Sequence, residues 1–126
     1  MLEMHCWITI RSHYSLEDDN LDNMIKTIND KIASLSLNKL FIKAINGEYY
    51  LDFSLFSNHM AKDAEDLLQL LYFIGEIAIG SYGLLYLHND EDELKYNQFK
   101  VYRLCKGKVT EYDDQLLSPC IPTIEE

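Results

Sequence analysis

The chain has 126 residues, 48% of them hydrophobic, and carries 11 Lys and Arg against 21 Asp and Glu, a net charge of −10. That length suits one domain spanning residues 1–126, and no apolar run approaches the roughly 18 residues of a membrane helix. The acidity disfavours direct nucleic-acid binding, which depends on Lys and Arg displacing counterions from phosphates, and favours a basic protein partner, although charge also serves solubility alone.

The opening Met1-Leu2-Glu3 lacks the basic start and apolar stretch of a secretory signal, so neither export nor membrane insertion is expected. Cys6, Cys105 and Cys120 form no close pair, an odd count that suits a reducing compartment and ordinary thiols. His5, His13, His59 and His88 are scattered, and His5 and Cys6, as strand neighbours, face opposite ways. Neither a metal nor another cofactor is expected.

Met4, Cys6, Ile8 and Ile10 alternate with His5, Trp7 and Thr9, which is the period of a strand. A polar loop, Ser12 to Asn20, leads to Leu21, Met24, Ile25, Ile28, Ile32 and Leu35, the stripe of an amphipathic helix with Asn20 as its cap. Leu40, Ile42 and Ala44 alternate up to Asn46-Gly47, and Tyr49, Leu51, Phe53 and Leu55 alternate after it. Asn-Gly is the preferred pair for a two-residue hairpin turn, which sets Ile45 against Glu48, Lys43 against Tyr50 and Ile42 against Leu51. Ala64, Leu67, Leu68, Leu71, Ile74, Ile77 and Ala78 mark a second helix ended by Gly80. Tyr82 to Leu87 is apolar on both faces, as in a central strand. An acidic loop, Asn89 to Glu93, precedes a second hairpin that opens at Phe99 and Val101, turns near Lys106-Gly107 and returns through Val109 to Tyr112. The tail with Pro119 and Pro122 is expected to lie extended on the surface. The result is an α+β fold: a mainly antiparallel sheet of about six strands with two helices on one face, in the order β-α-β-β-α-β-β-β.

Motifs for catalysis are missing. Gly80-Ser81-Tyr82-Gly83 leads from helix to strand, whereas a phosphate loop leads from strand to helix, and Ser81 lacks the setting of a nucleophile. Asp90 to Glu93 lacks the mid-loop Gly and alternating ligands of a calcium loop. Carboxylates are plentiful, yet no metal or carboxylate-held His accompanies them in the sequence, so an enzyme is not expected.

Four segments carry a resemblance: His5-Cys6-Trp7-Ile8-Thr9-Ile10, Asn46-Gly47-Glu48-Tyr49-Tyr50-Leu51, Gly80-Ser81-Tyr82-Gly83-Leu84-Leu85-Tyr86 and Leu117-Ser118-Pro119-Cys120-Ile121-Pro122-Thr123. In order and spacing they resemble the Immunity protein 7 family of bacterial polymorphic toxin systems, of the contact-dependent inhibition type. One departure is Cys6, where the pattern has Gly before Trp7. The resemblance implies a cytoplasmic α+β protein, made beside a toxin gene, that binds and blocks the toxin's C-terminal domain. Toxins neutralised by such families include nucleases, EndoU-like ribonucleases among them. It supplies no catalytic residues.

If the motif segments determine the fold, partner contacts belong on the acidic loops, Asp90 to Glu93 and Glu111 to Asp114, and on tyrosines opposite the core. The candidate partner-binding residues are Asp90, Glu91, Asp92, Glu93, Glu111, Asp113, Asp114, Tyr50 and Tyr102, with Tyr112 on the same face as the two tyrosines. An adaptor for another basic protein and a small hydrolase are the alternatives. A pocket with convergent His and carboxylate groups would favour the second.

Overall fold

The computed structural model describes residues 1–12, 21–35, 40–58, 60–94 and 96–119. Its elements are β1 (Leu2–Ile10), α1 (Leu21–Ser34), β2 (Lys43–Ile45), β3 (Glu48–Ser57), α2 (Met60–Ile77), β4 (Tyr82–Asn89), β5 (Phe99–Cys105) and β6 (Lys108–Asp113). They form one six-stranded antiparallel sheet in the order β2-β3-β1-β4-β5-β6, the α+β fold that the sequence pattern implies. The expected cap Asn20, most of the loop before it and the tail from Cys120 onward lie outside the described residues.

β1 is central, and its alternation divides the molecule. Leu2, Met4, Cys6, Ile8 and Ile10 are buried, while Glu3, His5 and Trp7 point to the other face. β3 and β4 are both antiparallel to β1, so they run parallel to each other, and α2 carries the chain across β1 between them. α1 likewise connects β1 to β2, which runs in the same direction as β1. Such crossovers are right-handed almost without exception. These two start from opposed strands and travel in opposite directions across the sheet, so both helices land on the same face. Ile25, Ile28 and Ile32 of α1 and Leu67, Leu70, Leu71 and Ile74 of α2 accordingly join the β1 residues in one core.

Both hairpins turn on two residues with positive φ: Asn46 (53°) with Gly47 (80°), and Lys106 (53°) with Gly107 (74°). Twist-matched turns of this kind fix the register, and Lys43 pairs with Tyr50 and Ile45 with Glu48 as the sequence predicts. β2 is shorter than its alternation suggests: Leu40 and Ile42 pack half-buried against the core and leave the ladder. α2 ends at Ile77, followed by hydrogen bonds from Ala78 N to Ile74 O (2.8 Å) and Ser81 N to Ala78 O (3.0 Å). Gly80 lies just beyond and is not among the glycines with positive φ, so the exit is a tight turn without a left-handed glycine cap.

Two expectations are corrected. Phe99 and Val101 are apolar and suggest core positions, yet both face away from the helices, in register with His88 and Tyr86. Tyr102, one residue out of phase, therefore lies on the helix side, opposite Leu85, and packs against the core. Tyr50 and Tyr112 do lie on the uncovered face. Likewise, Glu111 and Asp113 belong to edge strand β6 and are not part of a loop.

Two glycines separate conformational cost from steric cost. A Cβ at Gly47 meets nothing within 4 Å, so Gly47→Val carries mainly the left-handed backbone cost, about 1–2 kcal/mol, or roughly 3–10 °C in Tm. A Cβ at Gly83 would lie 2.0 Å from Trp7 O, so Gly83→Ala must push β4 away from β1 and lower Tm further. Thermal melts by circular dichroism check that ranking; a Gly47→Val melt matching the parent would overturn the turn assignment.

Candidate functional site

The acidic residues converge on one edge of the helix-covered face. β4 runs out into the 90–94 turn, where Asp90 Oδ1 lies 2.7 Å and Glu91 Oε1 3.4 Å from the Met1 amino group. The hydrogen bond to Asp90 is the main cause that raises the pKa of this amine. Asp92 Oδ1 accepts from Leu94 N (2.9 Å), and Asn89 Oδ1 from Glu91 N (3.0 Å), so the turn is braced by its own side chains. Beside it, Ala64 and Leu68 of α2, Leu87 of β4, and Lys100 and Tyr102 of β5 line a cleft of about 190 Å³ together with Asp92. The Tyr102 hydroxyl donates to Glu111 (3.3 Å), and Glu111 also pairs with Lys100 at 2.9 Å. Burial first, and then the Glu111 charge, push the Tyr102 phenol up to about 12. Asp113 stands across the ladder from Lys100.

The structure thus brings together Asp92, Tyr102, Glu111 and Asp113, with exposed Asp90, Glu91 and Glu93 adjoining them. Two of the candidates lie elsewhere. Tyr50, on the opposite face, donates to Glu48 (3.0 Å), which is paired with Arg11 at 2.5 Å. Asp114 is buried, and its carboxylate accepts from Leu116 N (3.1 Å), Leu117 N (2.8 Å) and Ser118 Oγ (2.9 Å). Its own amide bonds Phe99 O, so it fastens the chain after β6 to the start of β5.

The face opposite the helices has a different composition. Among the described residues no helix covers it, and it carries Phe56, Trp7, Tyr82, Leu84, Tyr86 and Tyr112. Trp7 sits mid-strand in β1 and is 47% exposed, with the Tyr82 ring edge-on at 6.3 Å. Assigning the motif segments wholly to the fold passed over these residues. The available signal was strand alternation combined with the two-helices-on-one-face topology, which together leave Trp7 uncovered.

A family model described as Immunity protein 7 matches residues 1–126, the whole chain. The chain belongs to the Immunity protein 7 family. It is therefore an immunity protein directed against a toxin, and its partner is the cognate toxin. No curated protein and no solved structure matches this Immunity protein 7 chain significantly.

Elsewhere in this Immunity protein 7 fold, the sequence motifs serve packing. Ser81 is buried and ties the end of β1 to the start of β4, accepting from Arg11 N at 3.0 Å and donating to Arg11 O at 3.3 Å. Cys6 is buried and Cys105 half-buried, both as free thiols, and burial raises the Cys6 pKa. On the open face His5 bonds Ser54 through Nδ1 (2.8 Å) and Glu3 through Nε2. A Ser–His–carboxylate chain can activate a hydroxyl, but a hydrolase also needs donors aimed at the developing oxyanion. Ser54 lies mid-strand, where backbone amides point within the plane of the sheet and not at a substrate above it. Among the described residues no group of three or more His, Cys, Asp or Glu side chains is placed to hold a metal, and no helix is long and apolar enough to cross a membrane.

Asp114 links stability to pH. Burial opposes its ionisation, but the hydrogen bonds from Leu116, Leu117 and Ser118 outweigh it and hold its pKa below the usual value. A depressed folded pKa contributes stability that is complete above the unfolded value and is lost as pH falls through the folded one. Asp114→Asn should therefore destabilise the protein near neutral pH by about 1–2 kcal/mol, with the difference shrinking below about pH 4. Urea unfolding across a pH series measures this; a deficit that persists unchanged in acid would contradict it.

Proposed function

We propose that this immunity protein, acting as one domain in the bacterial cytoplasm, binds the C-terminal domain of its cognate toxin. In this reading that domain is a basic nuclease, such as an EndoU-like ribonuclease, and its cationic surface docks on the acidic edge. The observation carrying the proposal is the gathering of Asp90 to Glu93, Glu111 and Asp113 around the Tyr102 cleft on a chain of net charge −10. A nuclease cleft must attract phosphates, so Lys, Arg or His line it, and an opposed acidic field accelerates encounter. Rim charges of this kind act on association more than on dissociation.

Neutralising Asp90, Glu91, Asp92 and Glu93 together, as Asn and Gln, should slow association severalfold at low salt and flatten its dependence on ionic strength. Folding should change little, since Asn at 92 keeps the oxygen that accepts from Leu94 N and exposed substitutions shift stability by only about 0.5 kcal/mol each. Surface plasmon resonance across a salt series reads both effects. Unchanged association at every salt concentration, with the variant folded, would remove this segment from the interface.

The Ser54–His5–Glu3 chain is the observation that favours a second reading, that of a small hydrolase, against the lack of backbone donors above Ser54. Turnover of a p-nitrophenyl ester that disappears in Ser54→Ala would support it; equal background hydrolysis by both proteins would end it.

A further inference from the structure

The acidic edge accounts for attraction but leaves the open face of the sheet without a role, and that face holds the chain's only tryptophan. Trp7 stands directly across the β1–β3 ladder from Asp52. Both line a concavity of about 380 Å³, walled further by His5, Ser54 and Tyr86. There the Lys43 ammonium already lies 2.9 Å from Asp52, with the two side chains 41% and 50% exposed. The position thus accepts an ammonium group, and an exposed pair of this kind contributes only about 0–1 kcal/mol, so displacing it costs little.

The neighbouring rings show the same chemistry satisfied internally. The Arg11 guanidinium lies over Tyr82 at 5.5 Å, and that of Arg103 over Tyr112 at 5.2 Å. Among the described residues Trp7 has no such cation, although indole is the best of the aromatic rings at attracting one. An exposed indole beside a carboxylate, on a face that no helix among the described residues covers, complements a long basic side chain. Its methylenes lie along the ring and its charge reaches Asp52.

We propose that a Lys or Arg side chain of the toxin seats on Trp7 against Asp52, displacing Lys43, so that the open face anchors the complex that the acidic edge recruits. This rests on the toxin-binding reading above and deepens it by naming the anchor and its chemistry. A second copy of the chain is the poorer occupant, because two proteins of charge −10 repel at long range. Nucleic acid is poorer still, because Asp52 repels phosphate.

The single tryptophan makes a direct test possible. Immunity protein labelled with 5-fluorotryptophan gives one 19F resonance from position 7, to be followed while a catalytically inactivated C-terminal domain of the adjacently encoded toxin is added. The resonance should shift and saturate with complex formation. In parallel, Trp7→Ala and Asp52→Asn should each weaken binding at least about tenfold, mainly through faster dissociation, whereas the Asp90–Glu93 variant slows association. Both side chains are about half exposed, and the labelled parent protein provides a readout that needs no variant. A saturated complex with an unmoved resonance would overturn the anchor and leave the toxin reading standing. No complex with the parent protein would overturn both. A shift that depends on the concentration of immunity protein alone would assign the face to a second copy and also overturn the proposal.

Discussion

Two crossovers that leave opposed strands in opposite directions place α1 and α2 on one side of the sheet, and most of the molecule's organisation depends on that placement. Each helix alone buries a modest apolar stripe, but side by side they cover the Leu2, Met4, Cys6, Ile8 and Ile10 face of β1 together with Leu51 and Leu85 beside it. The approach is close where α2 meets the β5–β6 hairpin. A Cβ on Gly75 would lie 2.9 Å from Leu104 and 3.3 Å from the Gly107 carbonyl. With the helices committed to one side, the other side is left to side chains that shield one another: Phe99 against Tyr86 and His88, and Trp7 against Tyr82.

Much of the fold was legible in the sequence because each local signal has one dominant physical cause. Asn46-Gly47 dictates a two-residue turn, the turn dictates the register, and the register determines which of Lys43, Ala44, Tyr49 and Tyr50 share a face. β5 was harder. Phe99 and Val101 are apolar enough to pass for core, yet Phe99 is buried against its aromatic and imidazole neighbours on the open face. Hydrophobicity reports burial and not which side does the burying, so the phase of that strand was misread and Tyr102 went with it. Asp114 shows a second limit: a buried carboxylate held by backbone amides looks, in sequence, the same as the exposed Asp113 beside it. The candidate site was half legible, since charge clustering is visible in a sequence but the Tyr102 cleft beside it is not.

In the proposed reading, physically distinct duties fall on separate parts of the surface. The seven charged residues whose places in β1–β6 and Arg11 put them by the open face are Glu3, Glu48 and Asp52 against Arg11, Lys43, Arg103 and Lys108, close to balance. The chain's negative excess, a net charge of −10, is therefore carried by residues outside this set of seven. Long-range fields depend on that excess, whereas short-range contact depends on desolvated aromatic area. Substitutions on the acidic segments can alter the first without disturbing the second.

The sheet's two margins also bear on how the protein keeps to itself. A broad sheet with one aromatic side that no helix among the described residues covers is prone to stacking and to growth by strand addition. β2 offers a foreign strand only three residues of ladder, and β6, at the other margin, carries Lys108, Glu111 and Asp113. Among the described residues, a chain zipping onto either edge would find too short a template at one and a charged one at the other. Strand addition at the margins is thereby limited while the aromatic face stays open to a partner.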